Sequence, residues 1–343
     1  MAHHRSKPSF PLVTTVRWGM EKHNEDSKPK VYYIQVLAEW AGQRIDNFLL
    51  ARLKGVPKTF IYRILRKGEV RVNKGRIQPS YRVAEGDQIR IPPVRQSEVQ
   101  PTGAHAAKTG YSLKEKIIYE DDQLCILNKP SGLAVHGGSG LSFGVIEALR
   151  AMYQIESPYA DLELVHRLDR ETSGCLVIAK RRSALRLMHE KLREGALEKI
   201  YWALVRGRWE GPSQVDAPLL KNQLQSGERM VKVHEEGQAS LTEFRVLQYF
   251  DNCTLVEARP ITGRTHQIRV HAAYAGHPIA GDTKYGDEEF NKMIKATVGL
   301  DRIFLHAYEL RFQSLKGMGM LEVQAPLDEK LTDTLQQLRE DHV

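Results

Sequence analysis

Residues 166–180 read His-Arg-Leu-Asp-Arg-Glu-Thr-Ser-Gly-Cys-Leu-Val-Ile-Ala-Lys, a charged loop that leads directly into an apolar run. The run Cys175–Ala179 predicts a buried strand. Asp169 stands between Arg167 and Arg170, and neighbouring arginines favour the ionised form of a carboxylate. Such an Asp can attack an electrophile or take a proton. A structural ion pair explains the same local pattern equally well, so this stretch alone leaves both interpretations open.

A second polar segment supports a functional site. Residues 263–271 read Gly-Arg-Thr-His-Gln-Ile-Arg-Val-His and follow a strand-like run, Thr254–Ala258, and a break at Pro260. A metal site is the alternative interpretation. However, His266 and His271 are five residues apart, which does not place them on one helical face, and no Cys or carboxylate lies beside them. We therefore expect no zinc site.

Between these segments lies an alternating strand, Ile200–Val205, within the sequence Lys199-Ile-Tyr-Trp-Ala-Leu-Val. Successive side chains of a strand point to opposite faces, so Tyr201 and Trp202 are expected to diverge. One of them can pack in the core while the other faces a site. If Tyr201 faces the site, its ring offers a stacking platform for a flipped base, although both residues are equally compatible with plain core positions.

Length and charge divide the chain. Its 343 residues exceed a typical single domain, so two domains are expected. Residues 43–95 contain 13 Lys/Arg against 4 Asp/Glu, whereas the remainder contains 37 against 38, so the whole net charge of +8 resides in one segment. We predict a mobile tail over residues 1–30, a basic α+β domain over 31–95, a connection over 96–114 and a larger mixed domain over 115–343.

The basic domain is predicted to begin with a strand, Val31–Val36, followed by two helices on either side of Pro57 that carry apolar residues at helical spacing. Gly68 is the expected C-cap of the second helix, and short strands flank a turn at Lys74-Gly75. Acidic partners are nearly absent, which favours phosphate contacts over a solvated charged helix. The candidate RNA-binding residues are Lys58, Arg63, Arg66, Lys67, Arg71 and Lys74.

In the larger region, the runs Cys125–Asn128 and Cys175–Ala179 predict strands, and Ser183–Glu194 predicts a helix that Ser183 caps and Gly195 ends. Strands that alternate with helices in this way indicate a mixed α/β region of the size of a catalytic domain.

Several classes of protein are disfavoured by the sequence. No apolar run of about 18 residues occurs and no signal-peptide core is present, so we expect a cytoplasmic protein without a membrane partner. The three cysteines, Cys125, Cys175 and Cys253, lie far apart and predict core positions rather than disulfides. No glycine-rich dinucleotide or P-loop motif appears, so no nucleotide is expected to bind.

A serine hydrolase is a formal alternative. The sequence Gly140-Leu-Ser-Phe-Gly144 matches the nucleophile-elbow pattern around Ser142, and Asp169 and His266 follow in the required order. That elbow needs a strand running directly into the serine, whereas a glycine-rich loop, residues 136–140, precedes it. We therefore rank an esterase below an RNA-modifying enzyme.

Taken together, the segments 166–174, 199–201 and 263–269 resemble the pseudouridine synthases, and residues 43–90 resemble the S4 RNA-binding domain that often precedes them. The resemblance covers roughly residues 31–340. It implies an α+β fold, with a small S4 domain followed by a catalytic domain built on a central mixed, largely antiparallel sheet. It also implies the roles of five residues: Asp169 as nucleophile, Tyr201 beside the base and as the candidate acceptor of its C5 proton, Ile268 packed on Tyr201, Arg269 paired with the Asp, and Arg167 stabilising the flipped-out uridine.

The resemblance further implies that the enzyme isomerises uridines in 23S ribosomal RNA without a metal, nucleotide or redox cofactor, and we expect a monomer. The segments 52–57, 135–144 and 220–229 resemble one subgroup of the bacterial large-subunit synthases, and a second subgroup with other target sites is the alternative. A further alternative is a non-catalytic RNA-binding factor of ribosome assembly, in which the basic domain does the binding and the larger domain is a scaffold.

Overall fold

The computed structural model of the chain describes residues 31–53, 56–94, 103–137, 143–156, 162–223, 229–317 and 319–340. The expected tail at residues 1–30, the elbow serine Ser142 and the first part of the expected connection, 95–102, lie outside these ranges. Contacts between Cα atoms divide the chain after Glu98 into two compact units.

The first unit is a small α+β structure. Its elements are β1 (Tyr32–Gln35), a 3₁₀ turn (Ala38–Trp40), α1 (Ile45–Arg52), α2 (Lys58–Arg66), β2 (Arg71–Val72) and β3 (Gln88–Ile91). The strands form an antiparallel sheet in the order β1-β3-β2. Phe48, Leu49 and Ile64 are buried in its core because they recur at helical spacing on one face of each helix. The predicted strand and pair of helices are therefore present.

Two predicted turns of this unit have the expected backbone. Gly68 follows α2 with a φ of +68°, the left-handed conformation that ends a helix, and its N–H donates to the Leu65 carbonyl. The turn at Lys74-Gly75 places Asn73 and Lys74 at φ values of 48° and 70°. Both turns expose polar side chains next to the basic helix α2, since Arg71 and Lys74 are exposed.

The second unit contains twelve strands and six helices among its described residues. The strands are β4 (Ile117–Glu120), β5 (Leu124–Lys129), β6 (Glu163–Leu164), β7 (Ser173–Ala179), β8 (Leu197–Arg206), β9 (Gln214–Asp216), β10 (Leu219–Gln223), β11 (Arg229–Val233), β12 (Leu241–Tyr249), β13 (Cys253–Pro260), β14 (Leu305–Gln313) and β15 (Met320–Gln324). The helices are α3 (Gly103–Lys114), α4 (Val145–Glu156), α5 (Arg182–Arg193), α6 (Gln267–Tyr274), α7 (Glu288–Val298) and α8 (Glu329–Glu340).

Ten of these strands form one sheet, with the order β4-β5-β7-β14-β8-β13-β12-β9, while β6 pairs with β7 and β15 with β14. The pair β7–β14 is parallel, and the other pairings described in this sheet are antiparallel. The expected α+β class with a mixed, largely antiparallel sheet is therefore confirmed. The remaining strands, β10 and β11, form a separate hairpin.

The second unit contains two large hydrophobic clusters. The larger cluster joins α3 to α6 with the central strands and includes Cys125 and Cys175. A second cluster joins α7 and α8 to alternate residues of β8 and β13, including Cys253. All three thiols are free and buried, as their spacing predicted, and burial raises the pKa of each to about 12.

Two local predictions were wrong. Residues 103–114, expected to belong to an irregular connection, form α3, which packs against α4. Ser183 does not cap α5, because the helix begins at Arg182 after Arg181, and no side chain bonds its first turn there. Gly195 does end that helix region with a φ of +70°.

Candidate active site

A cleft of about 920 Å³ in the second unit contains all five catalytic candidates. The loop before β7 contributes Arg167 and Asp169, β8 contributes Tyr201, and α6 contributes Ile268 and Arg269. Residues more than 100 positions apart in the chain thus line one cavity. The geometry of the cleft decides what these side chains can do.

The loop that carries Asp169 is held by a buried lysine. Lys129, at the end of β5, is fully buried and donates from Nζ to the carbonyls of Pro130, Leu133 and Arg170 at 2.8, 2.9 and 3.0 Å. Three acceptors match the three protons of an ammonium group. Burial lowers the pKa of Lys129 to about 7, so the cation is kept at a cost in solvation. The residue after Asp169 is thereby fixed to the neighbouring loop.

Gly174 allows the same loop to approach the sheet. Its φ is +103°, and a Cβ at this position would lie 2.3 Å from the carbonyl oxygen of Ala307 on β14. Only a glycine permits this contact at the start of the parallel β7–β14 pair. The chain therefore enters β7 close to β14, which sets the position of Asp169 four residues before Ser173.

Arg269 joins two carboxylates. It is 7% exposed and donates through Nε and Nη2 to both oxygens of Asp282, at 2.8 Å each. Its Nη1 lies 3.3 Å from Oδ2 of Asp169, whose side chain is 29% exposed. Burial alone would lower the pKa of Arg269, but Asp282 and Asp169 raise it above its ordinary value. The guanidinium is therefore a fixed positive charge that leaves one edge for Asp169.

His266 and Tyr285 complete the surroundings of Asp169. His266 precedes α6 in the left-handed conformation, with Nε2 3.8 Å from Asp169 Oδ2 and Nδ1 2.7 Å from Tyr285 Oη. Burial lowers the pKa of His266, although Asp169 opposes this. The ring is therefore neutral at neutral pH. Tyr285 Oη accepts from the Val231 N–H at 3.0 Å, so its own hydrogen can go to Nδ1, which leaves the imidazole proton on Nε2, facing Asp169.

Tyr201 lies on the cleft face of β8, and Trp202 lies on the opposite face, where its ring stacks on Tyr308 at 3.9 Å. This divergence agrees with the sequence prediction. Burial, and then the charge of Asp169, raises the pKa of Tyr201. The phenol therefore keeps its proton near neutral pH and offers a flat, hydrogen-bond-donating surface. Ile268 lies in the same hydrophobic cluster as Tyr201, so both can contact a planar ring.

The charge of the cleft is strongly unbalanced. Among its described lining residues, Asp169 is the one carboxylate, whereas five side chains are cationic. Arg167, Arg193 and Arg264 are exposed at the rim, while Lys199 is partly buried. The described residues contain no group of three or more His, Cys, Asp or Glu side chains suited to a metal ion. The charge of the described cleft lining suits an anionic ligand, and the surface of Tyr201 and Ile268 suits a flat ring.

Sequence reasoning missed Asp282 and Tyr285. They lie 13 and 16 residues after Arg269, in the segment Gly281-Asp-Thr-Lys-Tyr-Gly286. A Cβ at Gly281 would lie 2.0 Å from the Arg302 carbonyl, and one at Gly286 would lie 2.0 Å from that of Asp282. The two glycines on either side of Asp282 and Tyr285 could have indicated a tightly packed turn. They do not indicate that Arg269 is the partner of Asp282.

The first unit carries a separate basic surface, formed by α2 and the following turn. All six candidate RNA-binding side chains are exposed there, and the described residues give none of them an ion pair. Two of the four acidic residues are buried and used internally. Asp46 bonds Arg44 and Tyr62, and Asp87 bonds Asn73 and Tyr81. The positive charge of this surface is therefore left for an external anion.

Comparison with known families agrees with the motifs. The family model described as RNA pseudouridylate synthase matches residues 123–274, and the S4 domain matches residues 43–89. Proteins named ribosomal large subunit pseudouridine synthase C from Yersinia pestis and Escherichia coli K12 are each 56% identical over 315 residues, which is 91% of this chain and 97% and 98% of theirs. The chain belongs to the RNA pseudouridylate synthase family. This pseudouridine synthase carries an S4 domain at its N-terminal side.

Other relatives extend the comparison. The same name is given to a Haemophilus influenzae protein that is 55% identical over 325 residues, 94% of this chain and 99% of that one. These relatives agree with the subgroup that the segments 52–57, 135–144 and 220–229 indicate, which is synthase C. The alternative subgroup is synthase D. The human RNA pseudouridylate synthase domain containing 4 superimposes with a TM-score of 0.58 at 27% identity, covering 69% of this pseudouridine synthase and 97% of that chain.

The described helices of this pseudouridine synthase include none that is both long and apolar enough to cross a lipid bilayer.

Proposed function

We propose that this enzyme isomerises specific uridines of 23S ribosomal RNA to pseudouridines, with Asp169 as the nucleophile. One observation carries the assignment of the residue: Asp169 is the only carboxylate among the described residues of a cationic cleft, where Arg269 contacts it at 3.3 Å. The names of the relatives supply the class of RNA. The cleft supplies the chemistry.

The reaction begins with a uridine that is flipped out of its RNA, because a stacked base cannot enter a cleft of this depth. Its ring lies against Tyr201 and Ile268, and Arg167 at the rim stabilises the flipped-out state. Arg269 keeps Asp169 ionised and oriented. Asp169 then assists cleavage of the bond between N1 and C1′, either by attack at C1′ or by removal of the C2′ proton. Both routes release the uracil as an anion.

The second half of the reaction rejoins the ring through carbon. The uracil rotates, C5 bonds to C1′, and the proton on C5 is lost while N1 gains one, so atoms and charge balance without a cofactor. The raised pKa of Tyr201 disfavours a tyrosinate, so its phenol is a donor and a packing surface. The carboxylate of Asp169, released when the new bond forms, is the better acceptor for the C5 proton.

The assay uses an unmodified 23S rRNA transcript incubated with the purified protein. Carbodiimide treatment followed by reverse transcription then reports pseudouridine as discrete stops, because isomerisation leaves the mass unchanged. We expect stops with the wild-type protein and none with Asp169→Asn, whose affinity for the RNA stays within about tenfold, or about 1.4 kcal/mol. Full activity of Asp169→Asn would overturn the assignment of the nucleophile.

The same assay separates the alternatives. The positions of the stops distinguish the target set of synthase C from that of synthase D. No stops on the transcript or on precursor ribosomal particles would favour the non-catalytic assembly factor. Labelling of Ser142 by a fluorophosphonate would support the esterase.

We further propose that the enzyme acts as a cytoplasmic monomer with no metal or nucleotide, that residues 31–95 hold the RNA, and that residues 115–343 with α3 perform the reaction.

A further inference from the structure

The cleft contains one cation for which the reaction above gives no role. Lys199 lies on β8 two residues before Tyr201, so both side chains point to the same face of the strand, and both line the cleft. A Cβ placed on Gly263, across the cleft in the turn before α6, would lie 3.9 Å from Lys199 Nζ. The ammonium therefore lies between the strand of Tyr201 and the turn that leads to Arg269.

Lys199 has no carboxylate partner among the described residues. The described residues give it neither a hydrogen bond nor an ion pair, and the one carboxylate of the cleft, Asp169, is already contacted by Arg269 and His266. Burial lowers the pKa of Lys199, and among the described residues no neighbouring carboxylate opposes this shift. A poorly solvated cation without a counterion destabilises the fold, so its presence in the cleft points to a ligand.

The depth of Lys199 indicates which part of the substrate it meets. Arg167, Arg193 and Arg264 are exposed at the rim, where phosphates of an RNA backbone are accessible. Lys199 is partly buried and shares the strand face with Tyr201, which is 9% exposed. A group at this depth faces the base and not the backbone. The base becomes negatively charged during the reaction, because N1 leaves with the bonding electron pair and the charge spreads to O2 and O4.

We propose that Lys199 stabilises the detached uracil anion by donating a hydrogen bond from Nζ to one of its ring carbonyl oxygens. This inference rests on the proposed function of the cleft. In the intact uridine the carbonyls are neutral, so the interaction strengthens as the glycosidic bond breaks, which lowers the barrier rather than increasing affinity for the RNA. Lys199 also holds the ring in the cleft while it rotates, since the anion has no covalent bond to the RNA at that stage.

The first test compares the wild-type protein, Lys199→Met, Lys199→Arg and the control Lys295→Met, which changes an exposed residue on α7. Single-turnover rates at saturating transcript and dissociation constants are measured for each. For Lys199→Met we expect a rate about 10²- to 10³-fold lower, the usual effect of removing one such donor, with a dissociation constant within threefold. Lys199→Arg restores most of the rate because it keeps a donor and a charge. Lys295→Met behaves as the wild type.

Stability separates this role from a structural one. A side chain that only supports the fold would lower the melting temperature when replaced. Because Lys199 is a partly buried cation without a counterion among the described residues, Lys199→Met should melt at the same temperature as the wild type or higher. A lower melting temperature together with a lost rate would overturn the proposal. So would an unchanged rate, or weaker RNA binding with an unchanged rate at saturation, which would mark a phosphate contact.

Modified substrates test the contact itself. A synthetic RNA fragment carries 2-thiouridine or 4-thiouridine at the mapped target, since sulfur accepts hydrogen bonds poorly. One of the two should slow the wild-type protein and have little further effect on Lys199→Met. Fully additive effects for both substrates would contradict the contact. A wild-type protein that forms no pseudouridine would overturn the proposed function and this inference together, whereas an active wild type with an equally active Lys199→Met overturns only the inference.

Discussion

The side chain of Arg269 contacts two carboxylates, and this sharing explains how a single arginine orients Asp169, the proposed nucleophile. Asp282 is 1% exposed and binds two of its nitrogens, which leaves Nη1 for Asp169. An arginine held by Asp169 alone would depend on a side chain that is 29% exposed. Asp282 therefore fixes the guanidinium, and the guanidinium fixes Asp169.

Replacement of Asp282 by Asn should be costly for this reason. It leaves the buried Arg269 without its main counterion, which we expect to lower the free energy of unfolding by about 3 kcal/mol or more. The pseudouridylation rate should fall at least tenfold as Asp169 loses its fixed partner. Urea unfolding and single-turnover assays measure the two effects.

A matched control is Glu198→Gln, which also removes a carboxylate partner of an arginine, Arg259, but in a pair whose side chains are 42% and 38% exposed. It should cost less than about 1 kcal/mol, since exposed ion pairs contribute little. Equal losses in the two variants would contradict the importance of burial at Asp282.

A buried histidine makes a pH-dependent contribution to stability. His306 is fully buried, its Nε2 donates to the Ala325 carbonyl and its Nδ1 accepts from Ser173 Oγ, to which Arg302 also donates. Protonation of Nδ1 would leave Ser173 Oγ facing two donors. Burial lowers the pKa of His306 to about 4 from its ordinary 6.5. The unfolded chain therefore binds a proton before the folded protein does as the pH falls.

The sign of the effect follows. The contribution of His306 to stability is complete above pH 6.5, decreases between pH 6.5 and 4, and is constant below pH 4, a loss of about 3 kcal/mol at most. Denaturant unfolding across this window should show a steeper loss for the wild type than for His306→Gln, which can keep both hydrogen bonds without titrating. Parallel profiles would mean that His306 is already charged in the folded state.

The sequence predicted which residues line the cleft better than it predicted the residues that hold them in place. Asp169, Tyr201 and Arg269 stand in short motifs with an unusual density of polar groups, and the structure places them in one cleft. Asp282 and Tyr285 act only through residues that are distant in sequence, so no local pattern shows their partners. Lys199 belongs to the motif of the Tyr201 strand. However, the lack of a counterion for Lys199 among the described residues can be seen only in the folded cleft.

At the scale of elements, α3 is the main departure from the sequence prediction. Ala106, Gly110 and Leu113 form its buried face, at the spacing of a helix. Two of the three are too small to give a strong apolar periodicity, so the segment has the composition of a connection. The small residues have a purpose that only packing reveals. They allow α3 to approach α4 closely, since a Cβ at Gly110 would lie 2.4 Å from the Ala148 carbonyl.

Gly110→Ala therefore tests packing against helix propensity. Alanine favours a helix over glycine by about 1 kcal/mol, which predicts stabilisation. The contact with Ala148 predicts the opposite, because forcing an atom into a packed interface costs about 1 to 3 kcal/mol. We expect a net loss of about 1 kcal/mol, measured by urea unfolding.

Ser112→Ala is the control on the same helix. Ser112 is exposed, so only the propensity term applies and a gain of a few tenths of a kcal/mol is expected. If Gly110→Ala gained stability as well, α3 would not be closely packed on α4.

At the scale of the whole molecule, charge is divided between two tasks. The first unit presents a basic surface, and the second presents a cleft in which Asp169 is the one carboxylate among the described lining residues. Charge distribution was readable from the sequence because it depends only on counting. The order of the ten-stranded sheet was not, since β7 and β14 pair across 125 residues of intervening chain.

Salt dependence should identify the first surface as the RNA anchor. Replacement of Arg63, Arg66 and Arg71 by Gln removes three phosphate contacts, so the slope of log affinity against log salt should become shallower by about two to three units. Filter binding to the transcript between low and moderate salt measures it. The isomerisation rate at saturating RNA should stay within about threefold of the wild type.

The matched control replaces three exposed lysines of the second unit by Gln, namely Lys292, Lys295 and Lys330. The same charge is lost from the molecule, but from α7 and α8. An equal change of slope in this variant would mean that total charge, and not the α2 surface, attracts the RNA.

The three buried cysteines can report local unfolding of the enzyme without an added label. Burial encloses each thiol and raises its pKa to about 12. An aromatic disulfide such as Ellman's reagent should therefore react with a thiol only after the surrounding structure unfolds locally. Cys125 and Cys175 sit in the larger hydrophobic cluster and Cys253 in the one beneath α7 and α8. Mass spectrometry of partly modified protein would thus time the exposure of each cluster separately, in native enzyme that carries no introduced probe.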